Sequence, residues 1–373
     1  MIDKIIVLIL LALLLFGGLG EVVLEVKLCI LLVSVLVVAV LAIREGSIKI
    51  PKHFLLYCLY LVVLLVSLFW SKSRNSAFGA LVLYIDGGLF WLIFYNFNKR
   101  IRNLFLSGVV FLGLVFGGIF VYTLITGKIF VNAFNLYSPL WFDSSHVHLG
   151  DYWMFCLLIL YYFFLREKIV FKKALLAVLI VVGFYFLVAS STRSALVGLT
   201  VGVFYLHSAQ FFKKKYNKFT FALLGILLFV FLFISGHRTT LFSRGYIIQG
   251  MVGLVRTPLG VGMGNFYLTS SDKNNQILGF DQVSSVAHNF IIENTSGVGA
   301  LAIIFIYWLL QILLEIFRRE INLYSALFLA LTINFMFDFT YLIPAMFCLW
   351  FAFLALSQAS AKLTKGHLEG LEG

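Results

Sequence analysis

Ala174-Leu-Leu-Ala-Val-Leu-Ile-Val-Val-Gly-Phe-Tyr-Phe-Leu-Val-Ala-Ser190 is an unbroken apolar run, entered through Lys172-Lys173 and closed by Ser191-Thr192-Arg193-Ser194. A helix needs about 20 apolar residues to cross the hydrocarbon of a bilayer, so this stretch predicts a membrane span. Working outward, comparable runs lie at 5–20, 22–43, 54–70, 79–97, 104–126 and 150–165 on one side, and at 195–212, 219–235, 297–317, 321–338 and 341–359 on the other. The expected fold is therefore an all-α polytopic membrane protein of about twelve transmembrane helices. Composition agrees: 62% of residues are hydrophobic and 12% charged, against about half and about a quarter in soluble domains. Such a chain has too little polar surface to fold as a soluble enzyme or a DNA-binding domain.

The formal charge of +12 follows from the habit of membrane proteins of keeping Lys and Arg in cytoplasmic loops, and implies no nucleic-acid partner. With the N-terminus inside, 19 of the 28 basic residues fall on inner segments. That predicts cytoplasmic N- and C-termini. Met1 to Gly20 resembles a signal peptide in outline, but no small-residue cleavage site follows, so it reads as the first span. The four cysteines, Cys29, Cys58, Cys156 and Cys348, all lie in apolar runs, which predicts neither a disulfide frame nor a metal site. Four regions result: spans one to nine in 1–235, a long outer loop in 236–296, spans ten to twelve in 297–359, and a cytoplasmic tail in 360–373. Long loops in compact proteins are usually functional, so a site is expected on the outer face.

That face carries the unusual residues. Arg193 sits among Ser190, Ser191, Thr192 and Ser194; an Arg at a span end is ordinarily a snorkelling anchor, but these hydroxyls also suit a fixed guanidinium. The outer loop opens with Gly236-His237-Arg238, and apolar residues at 247, 248, 251, 252 and 255 then follow a helical period between Arg244 and Arg256. Ser243 is placed to cap this interfacial helix, and Pro258 to end it. Its arginines suit lipid headgroups or a bound phosphate, which a guanidinium can grip with two parallel bonds. The glycines of Leu259-Gly-Val-Gly262-Met-Gly264-Asn265 lack the strand and nucleotide-fold context of a phosphate loop and read as a turn of close approach.

His288-Asn289 stands at an outer boundary, four residues before Glu293. His146 and His148 with Asp143 and Asp151 lack fixed metal-ligand spacing, so no metal is expected. Asp86 and Asp338 lie within or near spans, where a carboxylate usually has a partner or a task. Several arginines with one histidine suit a polyanionic leaving group such as diphosphate, whose charge arginines can stabilise, while a neutral histidine takes a proton from an attacking hydroxyl.

Ser191-Thr192-Arg193-Ser194-Ala-Leu, Arg244, Arg256-Thr-Pro258-Leu-Gly-Val-Gly262 and His288-Asn289 together resemble the O-antigen ligase and polymerase superfamily. His288-Asn289, nine residues, and then Gly299 is similar to the ligases' His-Asn-x9-Gly pattern, and Asp338 with Pro344 resembles their closing span. The resemblance covers roughly 185–350. It implies a GT-C-like bundle in the bacterial inner membrane, acting at the periplasmic face without metal or other cofactor. The implied reaction is inverting transfer of a glycan from undecaprenyl diphosphate. The acceptor would be lipid A–core for a ligase, or a second lipid-linked glycan for an O-antigen or capsule polymerase. A twelve-span transporter or lipid-linked glycan flippase is the alternative from another class, disfavoured by the outer-face arginines and the single long outer loop. His288, Arg193 and Arg244 would be catalytic, with Arg256, Arg238, Asn289 and Asp338 as substrate-binding residues.

Overall fold

The computed structural model describes residues 2–17, 24–126, 146–190, 192–211, 245–275 and 283–369. Every regular element among them is a helix. The first eight are α1 (Ile2–Gly17), α2 (Leu24–Glu45), α3 (Phe54–Ser67), α4 (Arg74–Tyr95), α5 (Lys99–Thr126), α6 (His146–Arg166), α7 (Val170–Ala189) and α8 (Arg193–Phe211). After them come α9 (Gly245–Arg256), α10 (Phe266–Ser270), α11 (Phe290–Val298), α12 (Ile303–Phe317), α13 (Leu323–Phe335) and α14 (Pro344–Glu369). Each apolar run of the sequence inside the described residues has become a helix; the run at 219–235 lies outside them.

Among the described residues, five helices are long and apolar enough to cross a membrane: Leu24–Glu45, Arg74–Tyr95, Arg100–Gly118, Val170–Ala189 and the combined stretch Phe290–Phe317. That last stretch begins at Phe290, ahead of the tenth span's expected start at 297, and passes through a 3-10 turn at Gly299–Ala302. Short polar stops end the helices. The Asn322 side chain accepts from Ser325 N–H at 2.9 Å to start α13, and Glu167 accepts from the N–H groups of Lys168 and Ile169 just ahead of α7.

Burial is uneven in a way that suits lipid. α14 is buried on all sides from Ala345 to Ala359, as expected for a helix apolar around its whole circumference at the centre of a bundle. α4 packs beside it, with Gly87 giving room for Phe351. Trp91 donates from Nε1 to Gln358 at 2.9 Å, and Trp350 from Nε1 to Thr332 at 2.8 Å, so these indoles stay satisfied inside the core. Gly198 and Gly202 of α8 approach the α13 backbone at Ala330 and Ala326, the small-residue packing common between membrane helices. At the periphery, α7 exposes Val170, Phe171, Val178, Val181, Tyr185 and Val188. A continuous apolar face of this kind is consistent with contact with lipid.

The bundle has two distinct ends. One gathers the starts of α2, α4, α6, α8 and α11 with the 336–343 turn, tied by Lys27 to Gly79, Ser194 to Asp338 and Asn289 to Met336. The other carries Lys49 hydrogen-bonded to Asn96, and Glu315 paired with Arg319.

Candidate functional site

The segment 283–289 is held by its neighbours before it reaches α11. Ser270 donates from Oγ to the Ser284 carbonyl at 2.7 Å and accepts from its N–H at 3.1 Å. The Ala287 N–H donates to Glu293 Oε2 at 2.9 Å, and Tyr341 donates its hydroxyl to the same oxygen at 3.2 Å. Asn289 caps α11 by accepting from Ile292 N–H at 3.0 Å, while its amide donates to the Met336 carbonyl at 2.9 Å. Asn289 thus precedes the helix, and Glu293 holds the backbone beside His288 through Ala287.

These anchors over-determine one residue. His288 has φ +50°, in the left-handed region that non-glycine residues rarely occupy. Strain of this sort persists only where surrounding contacts enforce it. The ring is wedged as well: it stacks on Tyr246 of α9 at 5.6 Å with planes 22° apart, and meets Phe339 edge-on at 5.2 Å.

His288 opens onto a cavity of about 800 Å³. Its polar lining comes from Lys27 of α2, Asn75 and Ser76 of α4, Ser284, Ser285 and Glu293. Tyr84, Phe339 and Tyr341 supply aromatic wall. The wall is braced: Tyr60 and Tyr84 both donate to Asn294 Oδ1, which locks α3 and α4 onto α11.

Asp338 sits behind Phe339. Its Oδ2 accepts from Ser194 Oγ at 2.9 Å and its Oδ1 from the Phe339 N–H at 2.7 Å. Arg193, the first residue of α8, is therefore one residue from the Asp338 contact, and half-buried. Around it stands a buried polar group. Asp151 accepts from Asn334 Nδ2 at 2.9 Å, Asn334 also donates to Thr340 at 3.0 Å, and Gly150 lies against Ser190 and Thr192. The structure thus brings His288, Asn289, Asp338 and Arg193 into one region. Arg256 ends α9, exposed and apart from the cavity lining. Arg238, Arg244, Ser243 and Asp143 lie outside the described residues. Asp86 is fully buried in α4.

The glycine loop is structural. Gly260, Gly262 and Gly264 all have positive φ. Val261 and Gly262 donate to the carbonyls of Ser296 and Gly297, and Ala300 donates to Pro258, so the loop lies backbone to backbone on the end of α11. At Gly299, with φ +63°, a Cβ would strike the Pro258 carbonyl. Among the described residues, no group of three or more His, Cys, Asp or Glu stands together as a metal site.

Lys27, Asn75, Ser76 and Tyr246 are missing from the sequence-based candidates. Lys27 left a usable signal, a lysine two residues after Glu25 near the start of an otherwise apolar run, and a charge within a span is a functional pointer. Comparison of the chain with known protein families, curated proteins and solved structures finds no match.

Proposed function

We propose that this chain is a twelve-span glycosyltransferase of the O-antigen ligase and polymerase type, moving a glycan from undecaprenyl diphosphate to a sugar hydroxyl. The observation that carries the reading is His288: a strained, wedged imidazole facing a cavity of about 800 Å³, with Arg193 next in sequence to the Ser194 that holds Asp338. In this reading the acceptor O–H attacks the anomeric carbon and forms the new C–O bond with inversion. The bond from that carbon to the diphosphate oxygen breaks, and its electron pair leaves with the diphosphate. The hydroxyl proton passes to the His288 imidazole, while Arg193 and Arg244 balance the growing negative charge.

The site end would face the periplasm of a bacterial inner membrane, with both chain termini and the basic end cytoplasmic, as the distribution of Lys and Arg favours. The loop at 236–296 would lie on the periplasmic side. A lipid A–core acceptor makes the protein a ligase; a second lipid-linked glycan makes it a polymerase.

The test is a reconstituted assay with undecaprenyl-diphosphate glycan, with and without lipid A–core. Core-dependent product lost in His288→Ala supports the ligase, and donor-only elongation lost in His288→Ala supports the polymerase. Arg193→Ala should slow transfer by about 10²–10³, the loss typical of one donor in a preorganised anion site, and transfer should persist in EDTA. Wild-type turnover in His288→Ala or Arg193→Ala would refute the assigned roles.

A further inference from the structure

Lys27 is an expensive residue where it stands. Its side chain is 2% exposed, in a helix apolar and long enough to cross a membrane. Its ammonium makes one hydrogen bond among the described residues, to the Gly79 carbonyl at 3.1 Å, which leaves two of its three donors without an acceptor there. Among the same residues no carboxylate pairs with it: Asp86 of α4 forms no ion pair with it, and neither Asp86 oxygen has a hydrogen-bond partner. A buried ammonium without a close counter-charge costs several kcal/mol, and such groups in membrane spans usually serve a ligand.

The cavity supplies the place for that ligand. Lys27 lines it with Asn75 and Ser76, one turn before Gly79 on α4, so the spare donors and two neutral polar side chains form one patch. The only carboxylate among the described lining residues, Glu293, is already occupied by the Ala287 N–H and the Tyr341 hydroxyl. Arg193, Ser194 and Asp338 are absent from this lining; Phe339, which does line it, carries the link to them. Lys27 therefore lines the cavity, whereas Arg193, next in sequence to the Ser194–Asp338 contact, does not.

We propose that Lys27 binds a phosphate-type anion carried by the acceptor, separate from the donor diphosphate near Arg193. This rests on the transferase reading above, and it makes the cavity the acceptor's seat. The anion has two possible sources, the diphosphate of a lipid-linked acceptor or a phosphate on lipid A–core.

Two measurements test it. The first uses inorganic pyrophosphate and thermal unfolding, with no turnover required. Pyrophosphate should raise the Tm of the wild type and of Arg193→Gln, and the part remaining in Arg193→Gln should vanish when Lys27→Gln is added. The second is steady-state transfer. Lys27→Gln should raise the acceptor KM about tenfold or more, as loss of a charge-assisted contact does, with donor KM little changed and partial rescue by Lys27→Arg. A penalty confined to lipid-diphosphate acceptors assigns the anion to the acceptor's own lipid; a penalty seen with phosphorylated but not dephosphorylated core assigns it to the core. A pyrophosphate shift independent of Lys27, or a KM effect on donor alone, overturns the proposal while leaving the transferase intact. Absence of transfer with every acceptor, alongside a Lys27-dependent pyrophosphate shift, would sink the transferase and retain the anion site.

Discussion

His288 illustrates how a single backbone angle carries information that side-chain chemistry does not. At φ +50° an imidazole-bearing residue is strained, whereas glycine adopts that region without steric cost. His288→Gly should therefore hold or raise the Tm while transfer disappears. A clear fall in Tm would mean that the ring serves packing, through Tyr246 and Phe339, more than chemistry. His53, the other non-glycine residue with positive φ among those described, is at the opposite end of the bundle. Its Nε2 lies 3.4 Å from Glu315, but that carboxylate is already matched by Arg319. Burial, helped by the Lys52 and Arg319 charges, holds the His53 imidazole below its usual 6.5. The unfolded chain then binds the proton more readily than the folded one, so stability is lost as pH falls through 6.5 towards the folded value. Melting curves between pH 7.5 and about 5.5 should show this decline in the wild type and a shallower one in His53→Gln; identical slopes would remove His53 as the cause.

At the scale of elements, the stiffness of the site comes from a loop that packs backbone on backbone. The 258–264 turn approaches the α11 end closely enough for three main-chain hydrogen bonds, from Val261, Gly262 and Ala300. Gly299 is the pivot, combining φ +63° with direct contact against Pro258. Gly299→Ala should destabilise by about 2 kcal/mol or more, from backbone strain plus displacement of the loop. Denaturant titration reads this directly, and a loss under about 0.5 kcal/mol, the level of an ordinary surface substitution, would show that the contact is not tight. The glycine pattern is legible in the sequence as a turn of close approach. Its partner is not, because 258–264 meets 296–300 through main-chain groups that no residue pattern encodes.

Across the whole molecule, the two ends differ in chemistry as well as position. Hydroxyls, amides and aromatics line the His288 end, whereas Lys52, His53, Arg318 and Arg319 surround a smaller recess of about 240 Å³ at the other. If the basic end is cytoplasmic, single cysteines placed at Ser285 and Lys52 in a cysteine-free background should label from opposite sides. In intact spheroplasts an impermeant maleimide should reach Ser285→Cys and miss Lys52→Cys. The reverse pattern would invert the topology and place the proposed chemistry on the wrong side of the membrane.

Much of this architecture is dictated by the amino-acid sequence alone. Apolar runs of span length become helices because the backbone must satisfy its own hydrogen bonds away from water, and every such run within the described residues is helical. His288, Asn289, Arg193 and Asp338 also stand out locally, each a polar residue at the edge of an apolar run. Their convergence is a matter of tertiary structure, since Ser194 and Asp338 are 144 residues apart and meet only because α8 packs along α13. Lys27 belongs to the same category. A lysine in the first turns of a largely apolar helix is visible as an oddity, but that it faces the His288 cavity depends on how α2 rotates against α4, and helix rotation is set by packing between neighbours rather than by either sequence in isolation.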